Sequence, residues 1–312
     1  MEPIIKSGVV IFAYHNMGVM AIRTLIKAGV NIHLVVTHKD NPNENIWFNS
    51  VAKLCTDEKI QFIYSEEHTI NKINEMISDF DISVIFSFYY RNLLPTSLLE
   101  KAKYGAVNMH GSYLPKYRGR VPINWQIING EKVGGVTLHY MVDKPDAGDI
   151  IDQTKVNITF NETPLTLFAK LEIAGKKILE RSLKGILNGT CNRKSQDESI
   201  ATYYGGRKPE DGLIDWSCSS KNIYNLVRGV TKPSPGAFSY IKNNKIIIWH
   251  VDIINSEEWN QESTPGPVVI NSDQVNIRTG DGFIKLSEIK VNNKEYTDIK
   301  SVEILQNGTV FN

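Results

Sequence analysis

The sequence predicts an α/β protein with a mostly parallel sheet covered by helices in its first part and a small antiparallel β-barrel in its last part. Three observations lead to this fold class. Short apolar runs alternate with helical patterns over the first 190 residues or so. These runs lack polar–apolar alternation, which is typical of strands that are buried on both faces. After residue 190 the sequence becomes polar and then turns to closely spaced short strands.

The elements of the first part follow from hydrophobic periodicity and from the positions of glycine and proline. Strands are predicted at 8–14, 31–37, 61–64, 82–88, 105–110, 134–141 and 149–156, and the first of them reads as buried. Helices are predicted at 17–28, 48–58, 70–78 and 163–187, with a short helix that opens at Pro95. The order of strands and helices indicates a Rossmann-like domain that spans residues 1–190.

The last part has a different pattern. Residues 191–211 are polar and contain a Gly-Gly pair and a proline, which predicts a linker. A short helix at 219–230 is followed by strands at 237–241, 245–254, 267–270, 275–279 and 283–290. This spacing predicts an antiparallel barrel of the OB-like kind within a C-terminal domain at 212–312.

Composition narrows the class of function. Hydrophobic residues make up 41% and charged residues 22% of the 312 residues, and the formal net charge is +1. This balance argues against a protein built to wrap nucleic acid, which needs a basic face. The three cysteines form no metal-binding pair, and no signal or membrane-spanning pattern is found. We therefore expect a cytoplasmic protein with no metal site, no nucleic-acid partner and no membrane insertion.

The densest chemical motif covers residues 108–122, at the carboxyl end of a predicted parallel strand, where open α/β sheets bind ligands. Asn108 and His110 are two residues apart on that strand, so their side chains point to the same side. The amide of Asn108 can donate a hydrogen bond, and an imidazole can move a proton near neutral pH. The loop that follows carries glycines, prolines and three cations, which suits an anionic ligand.

A second motif, Asp143–Asp149, lies between two predicted strands. Asp, Pro and Gly are expected in any tight turn. An aspartate beside His110 would also orient the imidazole and favour its charged form. Spacing along the chain does not show whether Asp146 and His110 meet.

Over nearly its whole length the sequence resembles the formyltransferases that use 10-formyltetrahydrofolate. The resemblance is carried by Asn-x-His at 108–110, Ser-x-Leu-Pro-x-Tyr-Arg-Gly at 112–119 and Asp-Ala-Gly at 146–148. Trp216, Arg228 and the run 233–238 are similar to the start of that family's C-terminal barrel. The resemblance implies 10-formyltetrahydrofolate as formyl donor. It also implies that Asn108 stabilises an oxyanion, His110 is the acid and base, and Asp146 tunes His110.

The runs 12–18, 37–42 and 86–91 are similar to one branch, the formyltransferase domain of the bifunctional polymyxin-resistance enzyme. That domain formylates UDP-4-amino-4-deoxy-L-arabinose. By this resemblance the folate pocket contains Asn92, Leu93, Leu94, Arg120, Val142, Asp143, Lys144, Pro145 and Asp146. The sugar nucleotide is expected to contact His15, Tyr89, Tyr90, Arg91, Tyr117 and Arg118. Aromatic rings beside an arginine can hold a nucleobase and a pyrophosphate.

Three functions remain open on the sequence. The first is a sugar-nucleotide N-formyltransferase, which serves lipopolysaccharide or O-antigen assembly in the families that the chain resembles. The second is a methionyl-tRNA formyltransferase, which would need a basic insertion and a more basic barrel than this chain has. The third is a binding module, which would be expected to lack part of the Asn/His/Asp set. The nucleotide (UDP, dTDP or GDP), the sugar (a uridine-linked pentose or a thymidine-linked 4-amino-6-deoxyhexose) and the oligomeric state stay undecided, and a homodimer is compatible with the sequence.

Overall fold

The computed structural model describes residues 7–254, 264–271 and 274–311. Its strands are β1 (Gly8–Ala13), β2 (Ile32–Thr37), β3 (Phe62–Tyr64), β4 (Ile82–Phe88), β5 (Ala106–His110), β6 (Arg118–Gly119), β7 (Val133–Tyr140), β8 (Ile150–Asn157), β9 (Tyr203–Tyr204), β10 (Ala237–Ile241), β11 (Asn244–Ile254), β12 (Val268–Asn271), β13 (Gln274–Arg278), β14 (Phe283–Val291) and β15 (Lys294–Tyr296). Its helices are α1 (His15–Lys27), α2 (Val51–Asp57), α3 (Ile70–Met76), α4 (Thr96–Leu99), α5 (Pro122–Ile128), α6 (Pro164–Asn188) and α7 (Ser220–Gly229).

The chain divides into two compact units, which interleave along the sequence. The first unit contains 1–122, 133–157 and 169–204, and the second contains 123–132, 158–168 and 205–312. The predicted boundaries at 190 and 212 stay a prediction of domain limits. The second unit also takes in two short stretches from within the predicted first domain.

The sheet of the first unit has the strand order β3-β2-β1-β4-β5-β7-β8. The pairs from β3 to β5 are parallel, and β7 and β8 are antiparallel additions at one side. Strands β1 and β4 are buried at every position. A strand with helices on both faces has no solvent side, which explains their unbroken apolar runs. The mostly parallel α/β fold predicted from the sequence is confirmed.

Helix α2 begins later than the sequence predicts. Its first residue is Val51, because the Ser50 hydroxyl accepts a hydrogen bond from the Lys53 amide and caps the helix there. Phe48, predicted as the first helical residue, packs instead against the rings of Tyr14 and His15. A local capping interaction thus decides a boundary that hydrophobic periodicity placed three residues too early.

Part of the stretch predicted as a linker belongs to the first unit. Strand β9 pairs in parallel with β6, and Lys194 exchanges two backbone hydrogen bonds with Ile150, at 2.8 and 3.0 Å. The polar side chains of this stretch bond to neighbouring loops. Composition alone therefore indicated a separate linker where the structure has a packed segment.

The second unit contains an antiparallel sheet in the order β10-β11-β14-β13-β12, with β15 paired to β14. Its core consists mostly of buried Ile and Val side chains, and it includes the rings of Trp216 and Tyr224. Over the described residues the strand order starts at β10 and ends at β12, so the antiparallel sheet agrees with prediction while its closure into a barrel is not observed there. Within residues 7–254, 264–271 and 274–311, no helix is long and apolar enough to cross a membrane.

Arg228 has a structural position in the second unit. Its buried guanidinium donates to the carbonyls of Thr159 and Glu162 at 3.2 and 3.0 Å, and to the side chain of Asn225 at 2.9 Å. A buried arginine needs such acceptors because an unpaired buried charge is costly. Arg228 therefore holds the stretch 158–168 against α7.

Candidate active site

The candidate catalytic residues begin on β5, which lies between β4 and β7 in the sheet. Asn108 and His110 are separated by one residue, so both side chains leave the same face of the strand. His110 is buried and Asn108 is half-buried. The sheet thus places an amide and an imidazole side by side, as the sequence predicts.

Asp146 lies beside both of these side chains. Its Oδ1 is 3.4 Å from Asn108 Nδ2 and 3.6 Å from His110 Nδ1, and its Oδ2 accepts a 2.8 Å hydrogen bond from the Gly119 amide. The backbone of Asp146 has φ +55°, a left-handed conformation that is uncommon for a residue with a side chain. The turn formed by 143–149 therefore does more than reverse the chain, because it directs a carboxylate at β5.

Asp146 is ionised throughout neutral pH. Burial by itself would raise the pKa of this carboxyl, but a protonated His110, a hydrogen bond from His139 and the Gly119 amide together hold the pKa well below its usual range. The cluster therefore contains a fixed negative charge next to an imidazole.

The two nitrogens of His110 have different surroundings. Nε2 is 2.7 Å from the carbonyl oxygen of Tyr117, and a carbonyl can only accept, so Nε2 carries a hydrogen and donates it. Nδ1 faces Asp146 at 3.6 Å, which is longer than a hydrogen bond. One nitrogen is committed to the backbone and the other is available for exchange of a proton.

His139 on β7 is a fourth member of the cluster, and it pairs directly with Asn108 across the strands. Its Nδ1 donates to the carbonyl of Tyr140 at 2.8 Å, while its Nε2 lies 3.1 Å from Asn108 Nδ2 and 3.4 Å from Asp146 Oδ1. A neutral ring would accept from Asn108, and a charged ring would donate to Asp146. The neutral ring therefore orients the amide of Asn108.

The two segments predicted to bind folate lie near each other. Thr96, just after the first segment, donates to Asp143 in the second at 3.5 Å. Leu93 and Val142 have exposed side chains, at 78% and 47%, whereas Leu94 is packed in the core of the first unit. Asn92, Arg120, Asp143, Lys144 and Pro145 are also exposed. The structure therefore leaves all of these except Leu94 accessible to a ligand.

Aromatic and charged residues predicted to bind the sugar nucleotide cluster after β1 and β4. The ring of His15 is 6.2 Å from that of Tyr89, and Arg91 lies over the ring of Tyr14 at 4.7 Å. The guanidinium of Arg91 is paired with the carboxylate of Glu44 at 2.9 and 3.1 Å. Desolvation by burial, followed by repulsion from Arg91, lowers the pKa of His15 to about 3.

Tyr90 and His38 support this cluster from beneath. Their rings stack at 4.5 Å, and His38 Nε2 accepts a hydrogen bond from the Arg91 amide at 3.1 Å. Tyr90 also packs edge-on against Phe12 at 5.2 Å. These contacts hold the chain where it leaves β4.

Tyr117 and Arg118 were predicted to contact the sugar nucleotide, but their side chains have internal partners. The Tyr117 ring stacks on Tyr204 at 4.9 Å. Arg118 is fully buried and donates to Gln196, Glu198 and Tyr203 at 2.6 to 3.1 Å. The guanidinium is enclosed because it holds the stretch 196–204 against the active-site loop, so a ligand could reach it only by displacing these partners.

Both parts of the chain match the models of one family. The model described as formyl transferase matches residues 7–183, and the model of the formyl transferase C-terminal domain matches residues 207–303. The chain belongs to the formyl transferase family. The candidate catalytic cluster lies inside the first match.

Solved structures of other formyl transferases share the fold. An N-formyltransferase from Helicobacter canadensis, solved with folinic acid and dTDP-3-aminofucose, has a TM-score of 0.69 at 22% identity, covering 93% of this chain and 100% of that one. The sugar 3N-formyl transferase WlaRD, solved with dTDP and 5-N-formyl-THF, also has a TM-score of 0.69 at 22% identity, covering 92% and 98%. A sugar N-formyltransferase from a Shewanella species has a TM-score of 0.61 at 18% identity, covering 78% and 96%.

Sequence analysis of this formyl transferase missed His139 and Trp47. His139 is two residues from Thr137 on a strand that is otherwise apolar near its end, and this short polar alternation was the available signal. Trp47 packs edge-on against His15 with ring centroids 4.4 Å apart. A tryptophan in a polar loop was the signal there, but only the fold shows which residue it covers.

Proposed function

We propose that this formyl transferase moves a formyl group from 10-formyltetrahydrofolate to the amine of a nucleotide-linked amino sugar. One observation carries the chemistry: Asp146 Oδ1 lies within 3.4 Å of Asn108 Nδ2 and 3.6 Å of His110 Nδ1. An amide donor, an imidazole and an ionised carboxylate are the groups that acyl transfer between nitrogens requires. Two structures of the same fold support the choice of donor and acceptor, one with folinic acid and dTDP-3-aminofucose and the other with 5-N-formyl-THF and dTDP.

In the proposed reaction the uncharged amine of the sugar attacks the formyl carbon. A carbon–nitrogen bond forms to the sugar, and the carbonyl oxygen becomes an oxyanion. The Asn108 amide donates to this oxygen, and its contact with Asp146, at 3.4 Å, is the longer of its two contacts and the one to yield. One such donor lowers the barrier by ~3 kcal/mol in comparable sites.

His110 then moves the proton. Its Nδ1 receives the proton that the attacking nitrogen loses and returns it to the folate nitrogen as the carbon–nitrogen bond to the folate breaks. Asp146 stabilises the charged imidazole, and the carbonyl of Tyr117 fixes the ring through Nε2. The products are the N-formyl sugar nucleotide and tetrahydrofolate.

In this proposal the binding roles go to residues whose side chains are exposed or half-buried. The folate occupies the surface formed by Asn92, Leu93, Arg120 and 142–146, with the exposed side chain of Leu93 as apolar contact and the buried Leu94 supporting it. The sugar nucleotide contacts His15, Tyr89, Tyr90 and Arg91, whereas Tyr117 and Arg118 act by shaping the loop. The phosphate groups would compete with Glu44 for Arg91.

The identity of the acceptor sugar nucleotide is the most specific part of the proposal. Residues 12–18, 37–42 and 86–91 are similar to the polymyxin-resistance branch, which favours UDP-4-amino-4-deoxy-L-arabinose as acceptor. The nucleotides bound to the Helicobacter enzyme and to WlaRD are instead thymidine nucleotides. A panel of UDP-, dTDP- and GDP-linked 3-amino and 4-amino sugars with 10-formyltetrahydrofolate decides between them. We expect one sugar nucleotide to gain the mass of a formyl group, and the His110→Ala protein to serve as the inactive control.

We also place the enzyme in the cytoplasm, in keeping with its three free cysteines.

Methionyl-tRNA formylation is the function to exclude. Protein given 10-formyltetrahydrofolate, the amino-sugar panel and charged initiator tRNA together should label only a sugar. A tRNA enzyme would also lose activity steeply with salt, because it depends on many phosphate contacts. Label on the methionyl end with every sugar untouched would overturn the proposal.

A further inference from the structure

Gln196 lies between the two loops that define the catalytic cluster. Its side-chain Nε2 donates to the carbonyl of Asp146 at 2.8 Å and to the carbonyl of Gly148 at 2.7 Å. Its Oε1 accepts from Arg118 Nε at 3.1 Å and from Arg118 Nη2 at 2.8 Å. Every polar atom of the carboxamide therefore has a partner in one loop or the other.

Together with a bond to Gly119, these bonds form a closed hydrogen-bond circuit that consists of Arg118, Gln196, Asp146 and Gly119. Arg118 holds Gln196, Gln196 holds the backbone of Asp146, and Asp146 Oδ2 accepts from the amide of Gly119, the residue next to Arg118. Arg118 is itself immobilised by Glu198 at 2.6 Å and is fully buried. Gln196 thus fixes the main chain of Asp146, and the Gly119 amide fixes its carboxylate.

The circuit matters because Asp146 has an unfavourable backbone conformation. With φ +55° it costs free energy relative to the ordinary regions, and such conformations persist only when surrounding contacts enforce them. The two carbonyls that Gln196 binds belong to this turn, at Asp146 and at Gly148. A Cβ at Gly148 would lie 2.0 Å from the carbonyl oxygen of Tyr140, so the turn has no room to relax on that side.

We propose that Gln196 is a positioning residue for catalysis, which holds the turn so that the carboxylate of Asp146 faces Asn108 and His110. This inference rests on the proposed formyl transfer and adds a residue to it. Gln196 acts through Asp146 and touches neither substrate. Misplacement of a catalytic group by about 1 Å can cost on the order of 100-fold in rate.

Two substitutions test the role. Gln196→Met keeps the length of the side chain and removes all four hydrogen bonds. Gln196→Glu keeps the acceptor for Arg118 and replaces the donor with an oxygen that repels the two carbonyls. We expect kcat to fall by about tenfold or more in both, with KM for the sugar nucleotide within about twofold of wild type, because its proposed contacts lie on other loops than the turn that Gln196 holds.

Ser195→Ala is the matched control, because Ser195 is adjacent and bonds to Asp149 at 3.0 Å without touching the circuit. It should retain wild-type kcat. The double variant Gln196→Met with Asp146→Asn should be no slower than Asp146→Asn alone, since Gln196 acts through that carboxylate. Fully additive losses, or a Gln196→Met enzyme within twofold of wild-type kcat, would overturn the proposal. Thermal unfolding of each variant verifies that the fold is kept.

A second measurement separates this inference from the proposed function. The NMR shift of the Gly119 amide needs no substrate, because this amide donates to Asp146 Oδ2 at 2.8 Å. Gln196→Met should displace the signal in the same direction as Asp146→Asn does. If wild-type protein formylates no sugar in the panel, the proposed function fails, and the amide signal still decides the role of Gln196. An unchanged signal in Gln196→Met alongside a displaced one in Asp146→Asn would contradict the positioning role.

Discussion

Two buried histidines, His110 as the last residue of β5 and His38 directly after β2, lie at the ends of parallel strands, and each has a carboxylate near Nδ1. His38 Nδ1 is 2.7 Å from Glu66, and its Nε2 accepts from the Arg91 amide at 3.1 Å. Both nitrogens are therefore committed, and one neutral tautomer satisfies both partners. His110 has only Nε2 committed, while its Nδ1 is 3.6 Å from Asp146.

The difference separates a structural histidine from a candidate acid and base. Desolvation by burial lowers the pKa of His38, although Glu66 opposes this effect. Proton transfer needs a nitrogen that can exchange its hydrogen, and a ring with two satisfied hydrogen bonds has none to offer. The partners of both ring nitrogens therefore decide the role of a buried histidine, whereas burial and a nearby carboxylate do not.

The largest effect is expected for His110→Ala. Removal of the acid and base should lower turnover by roughly 100- to 10,000-fold, while folate binding stays close to wild type because the imidazole acts on the proton. Steady-state kinetics and calorimetric titration with a folate analogue measure the two quantities. A variant that retains a tenth or more of wild-type kcat would assign the proton transfer to another group.

Asp146→Asn should have an intermediate effect. It keeps the shape and can still accept from Gly119, but it removes the negative charge beside His110. We expect kcat to fall by roughly 10- to 100-fold, because the imidazolium that forms during proton transfer loses its neighbouring negative charge. A kcat within threefold of wild type would limit Asp146 to shaping the turn.

Asp146→Asn should also change how the free energy of unfolding depends on pH. Because the folded-state pKa of Asp146 is lowered, its carboxylate contributes stability that is complete above the unfolded value of about 3.9 and is lost as pH falls through the folded value. The difference in unfolding free energy between wild type and Asp146→Asn should therefore be constant near neutral pH and shrink in strong acid.

His38→Gln should have the smallest effect on activity. Glutamine can donate to Glu66 and accept from the Arg91 amide, so kcat should stay within about threefold of wild type. Because the pKa of His38 is lowered in the folded state, its contribution to stability is complete above about pH 6.5 and decreases as pH falls below that value.

Chemical denaturation at several pH values tests this expectation. The unfolding free energy of His38→Gln should decrease less than that of wild type between pH 6.5 and 5. Equal pH slopes would contradict the assignment of His38 as a neutral structural residue, and a loss of activity as large as that of His110→Ala would remove the distinction between the two histidines.

Local sequence determined much of the architecture of this formyl transferase. Unbroken apolar runs predicted β1 and β4 because a strand covered on both faces must be apolar throughout. Asn108 and His110 could be placed on one face of β5 because side chains alternate along a strand. The first residue of α2 was harder to predict, because it depends on one hydrogen bond that the Ser50 hydroxyl accepts.

Only the tertiary structure decided which distant residues meet at the site. Asp146 is 36 residues beyond His110 in the chain, and a turn motif has the same composition whether or not its carboxylate faces a histidine. His139 joins the cluster through strand pairing, and Gln196 and Arg118 through a contact between loops. Periodicity reports how a segment is buried, whereas a hydrogen bond between segments depends on where the packed sheet brings their ends. For that reason the sequence predicted Asn108, His110 and Asp146 as catalytic candidates, while their geometry and supporting residues came from the fold.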